Sequence, residues 1–225
     1  MTELQPRWLD QRLWFPDLLG VTGADAYGGL IALGGDLSVP RLQLAYRGGI
    51  FPWSVNPITW WSPDPRAVME LDRFHISRSL ARTLKKNEFQ VTLDAAFEMV
   101  IGACAKSAPG RESTWIGPEI KSAYVSLHKA GTAHSVECWK DGTLVGGVYG
   151  VAVGGAFCGE SMFHRESGAS KVALEFLVRH LRARGFVLFD IQMITPVTRQ
   201  MGATVIPRAA YLSRLQAAVR MSCRF

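Results

Sequence analysis

The chain has 225 residues, 48% of them hydrophobic and 20% charged, enough for an ordinary globular core in one large domain or a small domain packed on a larger one. Cys104, Cys138, Cys158 and Cys223 lie far apart with no Cys-x-x-Cys pair, which argues against a structural zinc site and against a disulfide framework. The formal charge of +6 permits a nucleic-acid partner without requiring one. Met1 to Pro6 shows no basic region leading into an apolar run, so no export signal and no membrane are expected, and the compartment expected is the cytoplasm.

The first ~65 residues are rich in Gly, Pro and Trp and poor in long periodic segments, which reads as a small, loop-rich N-terminal domain. One short helix is expected from Pro40 to Arg47, with Ser38 as a nearby cap and Gly48-Gly49 as its end. From Ile76 the pattern changes. A basic helix runs to about Lys86, with Arg78, Arg82, Lys85 and Lys86 on one face at i, i+4, i+7 and i+8. Such a face is either simply solvated or a footprint for a phosphate backbone. A strand near Phe89–Leu93 follows. Asp94 is placed to cap the next helix, in which Phe97, Val100, Ile101 and Cys104 recur at helical spacing. Pro118 opens a third helix that ends at Gly131.

The longest stretch without charge lies between Asp141 and Glu160. It holds seven glycines and suits a hairpin better than a membrane helix. Strands are expected over Ala133–Trp139, on to Val153 after an Asp141-Gly142 turn, and over Ala156–Phe163 after Gly154-Gly155. A helix capped by Ser167 or Ser170 runs through Arg184 to Gly185, and Phe186–Ile191 is the next strand. An antiparallel meander feeding a β-α-β unit indicates an α+β or mixed-sheet domain. From Arg179 onward there are eight arginines and one acid, Asp190.

Residues two apart on a strand share a face, so Asp190 and Gln192 lie with Phe186 and Leu188 in an apolar run. A carboxylate there needs a partner or a chemical task, because burying an unpaired charge is costly. If this strand neighbours the preceding one, Glu160, Asp190 and Gln192 converge, with Met162 on the face of Glu160. The other reading, in which Asp190 caps a loop and Glu160 pairs with a surface arginine, fits the spacing equally well. Trp53, Trp60, Trp61 and Trp115 sit in loop-like contexts. They serve the core or stack nucleobases, the latter worth about 1–3 kcal/mol per base.

Several segments resemble one family when taken together and in order. They are Gly34-Gly35-Asp36-Leu37, Arg47 to Trp53, Trp60 to Arg66, Thr114-Trp115-Ile116, Ala133 to Glu137, Leu144 to Gly150, Gly159 to Phe163, and Ala169-Ser170-Lys171. The family is that of the leucyl/phenylalanyl-tRNA–protein transferases. The resemblance implies a small N-terminal domain, residues 1–65, followed by a GNAT-like mixed-sheet catalytic domain, residues 66–225. It implies transfer of Leu or Phe, and less well Met, from aminoacyl-tRNA to the N-terminal amine of proteins beginning with Arg or Lys, in the N-degron pathway. A monomer without metal or other cofactor is expected.

Residue by residue, the resemblance assigns Glu160, Asp190 and Gln192 to the active site. Trp53 and Trp115 fall around the terminal adenosine, and Met162, Leu174 and Leu177 near the pocket for the amino-acid side chain. Arg78, Arg82, Lys85 and Lys86 fall on the tRNA-contacting cluster. The chain departs from the family pattern from Thr195 to Gln200, and at His164 and Gly168. In the expected mechanism Asp190 orients Gln192, whose carbonyl oxygen accepts from the attacking amine, or Asp190 acts directly as base. Glu160 holds the aminoacyl amine or the basic acceptor. A coenzyme-A-dependent acetyltransferase is disfavoured because no Gln/Arg-x-x-Gly-x-Gly/Ala loop precedes Ser170. A non-catalytic RNA-binding protein would leave the two acids and the amide unexplained.

Overall fold

A computed structural model of the chain describes residues 5–18, 27–106 and 114–225. In chain order the elements are β1 (Arg7–Leu9), β2 (Leu30–Gly34), α1 (Val39–Arg47), β3 (Phe51–Val55), β4 (Ile58–Trp61), β5 (Arg66–Met69), α2 (Arg78–Lys86), β6 (Gln90–Leu93), α3 (Phe97–Cys104), α4 (Pro118–Lys129), β7 (Ala133–Lys140), β8 (Thr143–Val153), β9 (Ala156–His164), α5 (Ala169–Ala183), β10 (Leu188–Gln192), α6 (Pro196–Gln200), β11 (Ala203–Ile206) and α7 (Arg208–Ala218). The fold is α+β, with a four-stranded sheet ordered β1-β2-β4-β3 and a seven-stranded mixed sheet ordered β11-β5-β10-β9-β8-β7-β6.

The segment expected to be rich in loops carries the smaller sheet. Its strands are too short and too interrupted by Gly and Pro for periodicity to reveal them. Pro52 is tolerated because β3 lies at the edge of that sheet. In the larger sheet only β9 and β10 run parallel, joined through α5, and every other neighbouring pair is antiparallel. The hairpin between β7 and β8 turns on Asp141 and Gly142, both at positive φ.

Two hydrophobic clusters form the core. One gathers α1, α3, α4, α7 and the smaller sheet around Trp60, Tyr124 and Tyr149. The other gathers α5 with Val148, Phe157 and Phe189. The expected face of α3 is correct, since Phe97, Val100, Ile101 and Cys104 are all buried.

Two expected caps are replaced, and a third keeps its place without a side-chain bond. Asp94 does not cap α3; its carboxylate accepts from the Ser135 backbone N–H (2.8 Å) and bonds His134 (2.7 Å). The N-terminus of α3 is instead met by the buried Glu137, whose oxygens lie 3.4 Å from the N–H groups of Ala95 and Ala96 and accept from the Ser135 and Thr92 hydroxyls. Neither Ser167 nor Ser170 caps α5. Gly168 does so at φ +88°, packed against Thr83 of α2. Ser38 occupies the cap position of α1 without a side-chain hydrogen bond. Among the described residues no helix is long and apolar enough to cross a membrane.

Candidate active site

The strands that carry the two acids are both bulged at the site. Along β8 and β9, Tyr149 pairs with Ser161 and Gly150 with Gly159, so Glu160 is the extra residue on β9. Gly150 is required there, because a Cβ would stand 2.3 Å from the Cys158 carbonyl oxygen. Along β10 and β5, Asp190 pairs with Val68 and Gln192 with Ala67, leaving Ile191 extra, and Gln192 adopts φ +53°. Simple alternation along β10 therefore fails at its end. The bulge re-aims Gln192 towards Glu160.

The three residues assigned to catalysis are brought together. The Gln192 side-chain amide donates to Glu160 Oε1 (3.3 Å), and its backbone N–H donates to Asp190 Oδ1 (2.9 Å). Asp190 is fully buried, and its partner is Arg66 of β5, with Nε at 2.8 Å and Nη2 at 2.6 Å on its two oxygens. Tyr211 of α7 donates to Asp190 Oδ2 at 2.9 Å. Neither earlier reading of Asp190 included this pair. An arginine beside Pro65 at the start of a short apolar strand was the available signal, together with the rule that a buried carboxylate must be matched.

Glu160 is partly open to the cleft. Tyr124 of α4 donates to its Oε2 (3.2 Å), and the Tyr124 hydroxyl is itself hydrogen-bonded to that of Tyr46 of α1. Burial pushes the Glu160 pKa up to about 8. The Asp190 charge adds to this, while hydrogen bonds from Tyr46 and Tyr124 and the Arg66 charge oppose it. Burial also acts to lower the Arg66 pKa, but the Asp190 charge, the neighbouring Tyr211 and the hydrogen bonds to Asp190 together outweigh it and the net shift is upward. Tyr46, Tyr124 and Tyr211 are held well above the ordinary phenol range, chiefly by burial. None of these tyrosines was singled out from sequence, since at helical spacing they are indistinguishable from core.

A cavity of about 240 Å³ adjoins Glu160. Met162 and Leu174 line it with Val148, Phe189, Ile191 and Met193, and Thr195 and Thr198 close one side. Leu177, expected nearby, is fully buried in the core one turn beyond Leu174 and does not line the cavity. The departure at Thr195–Gln200 folds as α6, whose first turn is a reciprocal capping box between Thr195 and Thr198.

Trp53 and Trp115 are both half-buried. Trp53 lies against Phe51 and Trp61, with ring centroids 6.0 and 5.6 Å away, and Trp115 lies against Tyr124 at 6.2 Å. Trp115 thus touches the tyrosine that donates to Glu160, and Trp53 is separated by the Phe51 ring from Arg66, the partner of Asp190.

Arg78, Arg82, Lys85 and Lys86 are all exposed on α2, with Ser77 capping the helix and Leu80 turned inward. Much of the arginine-rich C-terminal segment has a different fate. Arg208 is buried and donates to the Ser62 carbonyl, Arg214 pairs with Glu70, and Arg182 pairs with Asp72. Part of its positive charge is thus paired within the fold.

An apolar cavity ending at an acid–amide pair suits transfer of an apolar acyl group to an amine. Comparison with known proteins gives this class its family. The family model for leucyl/phenylalanyl-tRNA protein transferase matches residues 68–216, and the model for that family's N-terminal domain matches residues 35–64. A leucyl/phenylalanyl-tRNA–protein transferase of Oleidesulfovibrio alaskensis is 49% identical over 224 residues, covering 96% of this chain and 89% of the relative. One from Syntrophotalea carbinolica is 53% identical over 193 residues, covering 84% of each. The chain belongs to the leucyl/phenylalanyl-tRNA–protein transferase family and is an aminoacyltransferase. Solved structures with a distant likeness include L-PGS from Bacillus licheniformis (13% identity, TM-score 0.42, 74% of this chain and 53% of that one). Another is a GCN5-related N-acetyltransferase-like protein from Streptococcus suis (14% identity, TM-score 0.36, 63% and 57%).

Proposed function

We propose that the protein transfers Leu or Phe, and less well Met, from aminoacyl-tRNA to the N-terminal amine of proteins that begin with Arg or Lys, marking them for the N-degron pathway in the cytoplasm. The observation that carries this reading is the apolar cavity lined by Met162 and Leu174 that opens at Glu160, within hydrogen-bond reach of Gln192. The amino-acid side chain fills the cavity, so the ester carbonyl lies at its mouth. Trp53 and Trp115 receive the terminal adenosine, and the exposed cations of α2 meet the tRNA backbone. The division at residue 65 separates the sheet that carries Trp53 from the one that carries the acids.

The acceptor's amine nitrogen attacks the ester carbonyl carbon. The new C–N bond forms, the bond from that carbon to the ribose oxygen breaks, and a proton lost by the amine is matched by one gained by that oxygen. An α-amine with a pKa near ~7.7–8.0 is partly neutral at cellular pH, so alignment supplies much of the rate. Glu160 holds the Nε2 end of the Gln192 amide, which leaves Oε1 to accept from the attacking amine. Asp190 is poorly suited to direct base catalysis. Arg66 twice, Tyr211 and the Gln192 backbone occupy about four acceptor positions, all that a carboxylate offers.

The test uses radiolabelled leucyl-tRNA and two acceptor proteins that differ only in their first residue, Arg or Ala. Acid-precipitable, RNase-resistant label on the Arg protein alone is the expected result. Salt-sensitive tRNA binding without transfer would leave an RNA-binding protein instead.

A further inference from the structure

We infer that Arg66 and Tyr211 are positioning residues for the transfer reaction, fixing Gln192 through Asp190 and tying that centre to the sheet that carries Trp53. The inference rests on the aminoacyl-transfer reading above.

Arg66 is 1% exposed and makes contacts in three directions. Its Nε and Nη2 hold both oxygens of Asp190, and its Nη1 donates to the Gly49 carbonyl (3.0 Å), just ahead of β3. Its guanidinium lies between the rings of Phe51 (5.1 Å) and Tyr211 (4.4 Å). Gly49 itself, at φ +73°, cannot carry a side chain, because a Cβ would meet the Tyr211 ring at 2.8 Å. The N-terminal sheet, the catalytic strand β10 and the C-terminal helix α7 therefore meet at one cation.

A buried ion pair is a poor means of gaining stability, since its desolvation cost offsets most of its attraction. Its geometric consequence here is specific. Asp190 Oδ1, held by Arg66 Nε, is also the acceptor for the Gln192 backbone N–H, and Gln192 sits in the left-handed region that a non-glycine residue occupies at some cost. The carboxylate compensates that conformation, and Arg66 and Tyr211 set where the carboxylate stands. A continuous set of contacts thus runs from the Trp53 ring through Phe51, Arg66 and Asp190 to the backbone of Gln192, the residue whose side chain receives the amine.

The test begins with Tyr211→Phe, which keeps the ring on the guanidinium and removes only the hydroxyl. Transfer kinetics, leucyl-tRNA affinity and thermal melting are measured together. The expected result is a kcat lower by about ten-fold, as for a lost hydrogen bond to a charged group. The KM and Kd for leucyl-tRNA should stay within about two-fold, because what is lost is the alignment of Gln192 on the attacking amine and not a contact with the tRNA. Arg66→Lys, which keeps the charge but loses the fork, should lower kcat further and also raise the KM for leucyl-tRNA, because the tie to Gly49 is lost. It decides the matter if Tyr211→Phe proves unstable. In single-turnover experiments either change should add little to the loss caused by Gln192→Ala, because all three act through one amide. A folded Tyr211→Phe with wild-type kcat would overturn the inference, as would losses that multiply fully with those of Gln192→Ala. Absence of transfer by the unmodified protein would instead remove the underlying functional reading.

Discussion

Gln192 reaches Glu160 across the gap between β10 and β9, its Nε2 3.3 Å from Oε1, while its backbone N–H is held by Asp190. One residue thus joins the partly open acid to the fully buried one. Replacing it by Ala leaves both acids and the cavity in place. The expected outcome is a kcat lower by about 10²-fold, the lower end of what a group aligned with the reacting atoms supplies. Leucyl-tRNA affinity, measured by filter binding, should not change. Wild-type turnover in Gln192→Ala would remove the amide from the mechanism.

Glu160 gives the protein a pH dependence with a definite sign. Its folded-state pKa of about 8 exceeds the ordinary value of 4.5, so between these values the folded protein holds a proton that the unfolded chain has lost. Its contribution to stability is full below about 4.5 and declines as pH rises to about 8. Urea midpoints across pH 5 to 9 should therefore fall more steeply with pH for the wild type than for Glu160→Gln, which carries no titrating group. Parallel curves would show that the carboxyl is ionised in the folded protein at neutral pH.

The exposed face of α2 is read by salt. If Arg82 and Lys85 each neutralise one phosphate, replacing both by Ala should lower the slope of log affinity against log salt by about 1.4 for single-stranded contacts and about 1.8 for a duplex. Saturated kcat should hold, because neither side chain reaches the site. The same measurement on Arg208→Ala would mislead, since that arginine is buried against Ser62.

How far the sequence disclosed all this depended on the length of each signal. The β7–β8–β9 meander and α5 followed from turn residues and long periodic runs, while the pairing of β9 with β10 was one of two readings that the spacing fitted equally well. With β9 and β10 paired, Glu160 comes within reach of Gln192. Four-residue strands such as β5 and β11 carry no usable period, so the partner of Asp190 stayed hidden even though Arg66 lay within a segment already marked. The bulges at Glu160 and Ile191 were equally invisible, because an extra residue alters register without altering composition. Charge counting did not separate the C-terminal arginines, because it registers cations and not the carbonyl or carboxylate that receives some of them, as at Arg182, Arg208 and Arg214.

The stability of α3 provides a prediction away from the site. Glu137 is fully buried, accepts from two hydroxyls and faces the N-terminus of α3. Glu137→Ala should destabilise the protein by about 2–4 kcal/mol, since it leaves the buried Ser135 hydroxyl without its acceptor and removes the carboxylate facing the helix N-terminus. Chemical denaturation would measure it, and a change below about 0.5 kcal/mol, ordinary for a surface site, would contradict the assignment.

Selectivity for the transferred residue should follow the cavity at Met162. Its wall is apolar apart from Glu160, Ser161, Thr195 and Thr198, so discrimination among Leu, Phe and Met relies on size and amounts to about 1–3 kcal/mol per methylene. Ile and Val, branched close to the ester, should transfer less well than Leu. Met162→Ala enlarges the cavity from a side chain that is not part of the tightly buried core, so the fold should tolerate it. The ratio of kcat/KM for phenylalanyl-tRNA to that for leucyl-tRNA should rise by about ten-fold, because the smaller substrate loses contacts that the larger one recovers. Competition between the two charged tRNAs in one reaction reads that ratio directly. An unchanged ratio would mean that the acyl side chain lies elsewhere than against Met162.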